Sequence, residues 1–324
     1  MKAAVYDHHG PASEVLRVAE IDRPEPGPGE VRVKVHVSAV NPTDYKSRAG
    51  STPRPIDGFQ IPHHDGAGVI DAVGPGVDQG RVGQRVWVWL AAAGRRWGTA
   101  AEWTVVPERQ AVPLPDGISF ELGASLGVPA ITAHRCLLAD GPVTGQAVLV
   151  AGGAGAVGHF AIELAVWAGA AQVIATVSGP AKAKLAQEAG AGHVVIYSEP
   201  DAANQIRSVT EQVDRVVEVD LGANLQLDLA LSRPDTVIVT YAATAADPVL
   251  PVRACMSANV VLRFVLLYRF PGPALDQAVA DITAALSAGA LTELPQHRFP
   301  LNDIVAAHQA AEAGVVGKVL VLPS

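Results

Sequence analysis

The stretch Val148-Leu149-Val150-Ala151-Gly152-Gly153-Ala154-Gly155-Ala156-Val157-Gly158 sets glycines at 152, 155 and 158 between an apolar run and a second apolar stretch from about Ala156 to Ala168. A strand that passes through such a turn into a helix can hold a pyrophosphate. The first glycine permits the tight turn, the second lets backbone N–H groups approach the phosphates, and the third lets helix and strand pack closely. The helix N-terminus adds unpaired N–H donors and partial positive charge. A glycine triplet alone says little. Its place between strand and helix points to a dinucleotide site, the alternative being an ordinary tight turn.

The next strand, Gln172–Val177, bears on which dinucleotide. An acid about 20 residues after the glycines normally takes the ribose 2′-hydroxyl. Here that position is Ser178, and Ser178-Gly179-Pro180-Ala181-Lys182 contains no acid. A missing carboxylate removes repulsion toward a 2′-phosphate, and a lysine adds attraction. The pattern favours NADPH over NADH. Lys182 in the first turn of a helix opposes the helix dipole, which favours a binding role over a merely solvated one. Tyr197, closing the strand His193–Ile196, is a further candidate or simply a strand-end aromatic.

These elements sit in a chain of 324 residues, long enough for two domains. Hydrophobic residues make up 49% and charged residues 17%, so a large core is expected. The net charge of −8 argues against nucleic-acid binding. No uninterrupted apolar run is long enough for a membrane span, and the N-terminus reads as a strand rather than a signal peptide. Cys136 and Cys255 lie far apart in apolar surroundings and read as free thiols, which suits a cytoplasmic protein.

Residues 1–124 have the grammar of a β-barrel-like domain. Val31–Val37 alternates with period two after a Pro/Gly-rich stretch, and further short strands near 68–73, 85–89 and 101–106 are punctuated by glycine and proline. From 125 to 265 the rhythm becomes strand then helix, with strands near 147–151, 172–177, 193–197, 214–219, 236–241 and 259–264. Such alternation predicts a doubly wound parallel sheet covered on both faces. The tail, 266–324, holds an amphipathic helix (275–287), a second helix (from 302 or 303 to 313) and a final strand (318–322). It is expected to complete the first domain.

The chain resembles the medium-chain dehydrogenase/reductase superfamily, in its zinc-independent quinone oxidoreductase (zeta-crystallin-like) branch. The resemblance rests on Gly10-Pro11 with Val15-Leu16, the run Asn41–Gly50, and Asp65-Gly66-Ala67-Gly68-Val69. It continues through Val73-Gly74 with Val77, Val82–Val86, Gly98–Glu102, Leu114–Gly117, Ala130–Ala133 and Gly317-Lys318-Val319, in order and nearly end to end. It implies a GroES-like catalytic domain, a Rossmann domain, and NADPH held in a cleft between them. By that analogy Asn41, Asp44, Lys46 and Arg48 line or support the nicotinamide and substrate side, with Thr132 near the nicotinamide. Gly155, Ala156 and Val157 hold the pyrophosphate, and Ser178, Lys182 and Tyr197 the 2′-phosphate. The strand around Phe264 and Val265 passes close to the nicotinamide, and Lys318 also faces the cleft. Tyr241 stands where the family places a smaller residue, and either narrows the cofactor cleft or stacks on a ring. A homodimer through Val260–Tyr268 is implied too.

Zinc-bearing relatives hold a catalytic metal, but Asn41 replaces their first cysteine and the third ligand position falls near Gly127 or Val128, so no metal is expected. His63 and His64 either touch a ligand or donate a proton, or form a turn pair satisfied locally. His134 and His159 read as structural, and no nucleophile triad is visible. Without a Lewis acid the fitting acceptors are those that take hydride readily: quinones, or conjugated enals and enones. Charge then develops on an oxygen, and donors aimed at it lower the barrier. Asn41, Tyr45, Lys46, His64 and water are the substrate-side candidates. The leading expectation is an NADPH-dependent quinone reductase. The alternatives are a reductase of α,β-unsaturated carbonyls and a low-turnover NADPH-binding structural or sensing protein.

Overall fold

Apolar residues at alternate positions make a strand with one buried face, and a continuous apolar run makes one buried on both. Both kinds occur here, in different units. The computed structural model describes residues 1–199, 201–243 and 247–323. The chain divides into Met1–Val128 with Pro295–Ser324, and Pro129–Leu294.

The first unit contains strands Lys2–Val5 (β1), Arg17–Glu20 (β2), Glu30–Ala39 (β3), Asp65–Val73 (β4), Arg85–Val88 (β5), Trp103–Pro107 (β6) and Ala111–Pro113 (β7). In the second unit, Ala147–Ala151 (β8), Gln172–Val177 (β9), His193–Ile196 (β10), Val213–Glu218 (β11), Ser232–Thr240 (β12) and Val261–Phe264 (β13) follow. The chain then returns to the first unit with Gln296–Pro300 (β14) and Lys318–Leu322 (β15).

The first unit is built on one sheet in the order β14-β15-β3-β4-β5-β7, with β6 also paired to β3, and a separate β1–β2 hairpin. Val31, Val33, Val35 and Val37 of β3 are all buried. Each such fully buried valine contributes about 1.5–3 kcal/mol. Two antiparallel registers position the polar residues described below: Leu320 faces Ala39 across β15 and β3, and Ala39 faces Asp65 across β3 and β4.

The second unit is a six-stranded parallel sheet in the order β10-β9-β8-β11-β12-β13. Counted from β8 this is 3-2-1-4-5-6, the doubly wound order. Helix Ala156–Trp167 is buried from Gly158 to Ala165, as its apolar sequence demands.

The units divide elsewhere than the sequence suggests. The segment 266–294, expected with the first unit, belongs to the second. His134 meets Asp281 at 2.7 Å, the Arg135 guanidinium lies over Phe270, and Glu163 accepts the Thr292 N–H at 3.0 Å. The two histidines that read as structural, His134 and His159, are therefore anchors for this segment; His159 Nε2 also lies 3.2 Å from the Thr292 carbonyl. Residues 125–128 belong to the first unit, where the Val128 N–H donates to Asp65. Among the described residues, no helix is long and apolar enough to cross a membrane.

Candidate functional site

Gly152 leaves β8 at φ +70, a conformation that favours glycine. Its carbonyl accepts the Gly155 N–H at 2.9 Å, and Gly155 starts the helix. A methyl group at Gly158 would stand 2.3 Å from the Gly152 oxygen, so Gly158 is the close-packing glycine. Gly153 packs closely too, since its methyl would meet Ala175 Cβ at 2.7 Å and Ile162 at 3.0 Å. The triplet pattern overlooked Gly153 because it lies outside the three-residue spacing. Gly155 is exposed, and Ala156 and Val157 are partly so. No side-chain hydrogen bond caps the start of this helix.

The parallel sheet then lines up residues that are scattered in sequence. Gly152 follows the end of β8, Ser178 that of β9, Tyr197 that of β10 and Tyr241 that of β12, while Phe264 ends β13 and Val265 follows it. All stand at the carboxyl edge, where doubly wound sheets bind ligands. Lys182 Nζ donates to Ser178 Oγ at 2.9 Å, and the Tyr197 N–H donates to the Val177 carbonyl at 3.0 Å. Ser178, Lys182 and Tyr197 thus share one corner, and its side chains suit a phosphate monoester. Tyr241 is half-buried, its hydroxyl pKa raised by burial. Phe264 is exposed while Val265 is buried. Thr132, on helix Phe120–Leu138, is buried.

The first unit gathers a second polar group. Helix Pro42–Ala49 starts at Asn41, whose N–H donates to the Asp44 carboxylate at 2.7 Å. The registers of β3 with β4 and β15 bring Asp65 and Lys318 to the same place. Asn41 Nδ2 donates to Asp65 Oδ2 at 2.7 Å, and Lys318 Nζ donates to Asn41 Oδ1 at 2.6 Å. The Val128 N–H donates to Asp65 Oδ2 at 2.7 Å. The side chains of Asn41, Asp44, Asp65 and Lys318 are all buried. Burial raises the Asp44 carboxyl to about 7 and that of Asp65 to about 6, with Lys318 and the N–H donors pulling the other way. Burial lowers the Lys318 ammonium, and the two carboxylates oppose this.

This donor set does not suit zinc. Asn41 offers its oxygen to an ammonium. His64 Nε2 accepts from Arg54 at 2.8 Å, which leaves a guanidinium against the ring. The third ligand position is a backbone amide aimed at Asp65. Among the described residues, no three His, Cys, Asp or Glu side chains converge for a metal.

Residues 27–116 match the model of the alcohol dehydrogenase GroES-like domain, and residues 156–284 that of the zinc-binding dehydrogenase domain. The chain is 31% identical to the quinone oxidoreductase of Pseudomonas aeruginosa, over 96% of each. A mycobacterial protein solved in complex with NADPH is 32% identical over the whole of both chains, with a TM-score of 0.86. The chain belongs to the medium-chain dehydrogenase/reductase family, in its quinone oxidoreductase branch. It is also 29% identical to a 2-haloacrylate reductase of Burkholderia sp., over 100% of this chain and 99% of that one.

Within this family framework the remaining expected residues separate. Tyr45 and Lys46 are half-buried on helix Pro42–Ala49. Arg48 is buried; it donates to the Gly10 carbonyl at 2.6 Å and pairs with Glu312, so it supports the helix rather than lining a site. His64 is buried, with its pKa well below normal through burial, then Arg54 and Arg95. His63 faces Ser38 at 2.8 Å and His308 at 3.0 Å. Each of the two rings thus has at least one internal hydrogen-bond partner. Sequence reasoning placed Asp65 in the family-like run Asp65–Val69 and missed its hold on Asn41. It also missed the buried acid pair Glu218 and Asp228 on β11 and the following helix. Desolvation raises both carboxyls, and they face each other as well. Nothing in their spacing marks them as neighbours.

Proposed function

We propose that this protein reduces quinones with NADPH and without a metal, converting quinone, hydride and one proton into hydroquinone. NADPH, when bound, supplies the hydride. The carboxyl edge of the second unit holds it through Gly152, Gly155, Ala156, Val157 and Gly158 at the pyrophosphate and Ser178, Lys182 and Tyr197 at the 2′-phosphate. Thr132, Tyr241, Phe264 and Val265 serve the nicotinamide end. Asn41, with Tyr45 and Lys46, faces the acceptor and stabilises charge developing on its oxygen. The observation that carries the reading is the Lys182–Ser178 pair at the end of β9, where an NADH enzyme would carry an acid. The zinc-unsuited set around Asn41 supports acceptors that need no Lewis acid. Reduction of α,β-unsaturated carbonyl compounds is the second reading, favoured by the likeness to the 2-haloacrylate reductase.

A homodimer through the edge strand β13 fits its exposed Val261 and Phe264, with exposed Leu266 just beyond. Cys136 and Cys255 are unpaired, which fits a reducing cytoplasm. The test is NADPH oxidation at 340 nm against a panel of quinones, enones, enals and 2-haloacrylate. Fastest turnover with quinones supports the first reading, and preference for enals or haloacrylate the second. Binding without oxidation overturns both and leaves a low-turnover NADPH-binding protein.

A further inference from the structure

The carboxamide of Asn41 is held at both ends. Lys318 only donates, so it takes the amide oxygen. Asp65 accepts from two N–H groups, those of Asn41 and Val128, so it takes the amide nitrogen. This fixes which end is which, an assignment an asparagine rarely enforces by itself. The Asn41 amide then retains a second N–H with no protein partner among the described residues. The clamp is built into the backbone. The β15–β3 register that pairs Leu320 with Ala39 brings Lys318 level with Asn41, and the Val40 N–H donates to the Val319 carbonyl at 3.0 Å. Gly317, at φ +113, lets the chain enter β15 within a methyl group's width of the Pro295 carbonyl. Gly127 lies so close to Asp65 that any side chain would displace the carboxylate.

We propose that Lys318 and Asp65 are positioning residues that lock the Asn41 carboxamide, so that its remaining N–H meets the acceptor oxygen on which negative charge develops. This assigns Lys318 to orienting a donor rather than to binding coenzyme. The inference rests on the hydride-transfer reading.

The experiment uses the whole chain and Lys318→Met. Quinone-dependent kcat is expected to fall by about 100-fold, the loss seen when one such donor is misplaced. NADPH affinity, read by fluorescence titration, stays within twofold. The acid limb of the pH–rate profile moves to higher pH, because Asp65 loses the cation that holds its proton affinity down. A kcat within threefold of wild type overturns the inference, and so does an NADPH affinity that falls in step with kcat. Asn41→Asp keeps the Lys318 contact and removes the amide donor, so it covers a misfolded Lys318→Met. It is expected to lose kcat to the same extent, and a wild-type rate overturns the inference. A wild-type protein that binds NADPH but passes hydride to no acceptor removes the hydride-transfer reading itself, and this inference with it.

Discussion

At Gly127, one hydrogen in place of a methyl group lets Asp65 stay where it is, because a Cβ would lie 2.1 Å from Asp65 Oδ1. Gly127→Ala is expected to destabilise the fold by about 1–3 kcal/mol, as overpacking does. It should also lower kcat more than NADPH affinity, because the displaced carboxylate releases Asn41. Thermal melts with steady-state kinetics check both. At the proposed coenzyme site, the charge of Lys182 is the feature expected to select NADPH. Lys182→Ala removes one charge-assisted contact, and NADPH affinity is expected to fall about 10- to 100-fold. NADH affinity should change by less than threefold, and titration with both coenzymes distinguishes a 2′-phosphate contact from a general effect on the turn.

Helix Pro42–Ala49 carries a buried acid at its first turn, and its stability should register that acid's titration. The Asp44 carboxyl is raised from 3.8 to about 7 by burial. A group raised in the folded state contributes stability that is complete below its ordinary pKa and is lost as pH rises through the native value. Asp44→Asn removes the titration while keeping an acceptor for the Asn41 N–H. The melting temperature of the variant minus that of wild type is therefore expected to climb by several degrees between pH 4 and pH 8. A flat difference would show that Asp44 does not titrate in this window. The same logic bears on the Glu218–Asp228 pair, where two facing buried carboxyls favour keeping a proton between them.

On the scale of the whole molecule, the exposed apolar edge of β13 is a liability unless it is covered. For the proposed homodimer through this edge, Val261→Lys with Leu266→Glu is expected to halve the mass found by light scattering and leave the fold intact by circular dichroism. An unchanged mass would place the dimer contact elsewhere or remove it.

Periodicity and punctuation by themselves determined the two architectures. Alternating valines mark a strand with one wet face, and apolar runs ended by glycine mark strands and helices packed on both sides, so those elements were legible, several with their ends displaced by three or four residues. The glycine turn and the missing acid after β9 were legible for the same reason: their chemistry is local, carried by neighbours in sequence. Tertiary structure alone decided what depends on register and packing. Segment 266–294 went with the second unit because single contacts from Asp281, Phe270 and Thr292 outweigh any pattern in its own residues. Lys318 and Asn41 meet across 277 positions only because β15 pairs with β3 in that register. A sequence records each residue's chemistry, whereas a strand register, set by many backbone hydrogen bonds at once, chooses its partner.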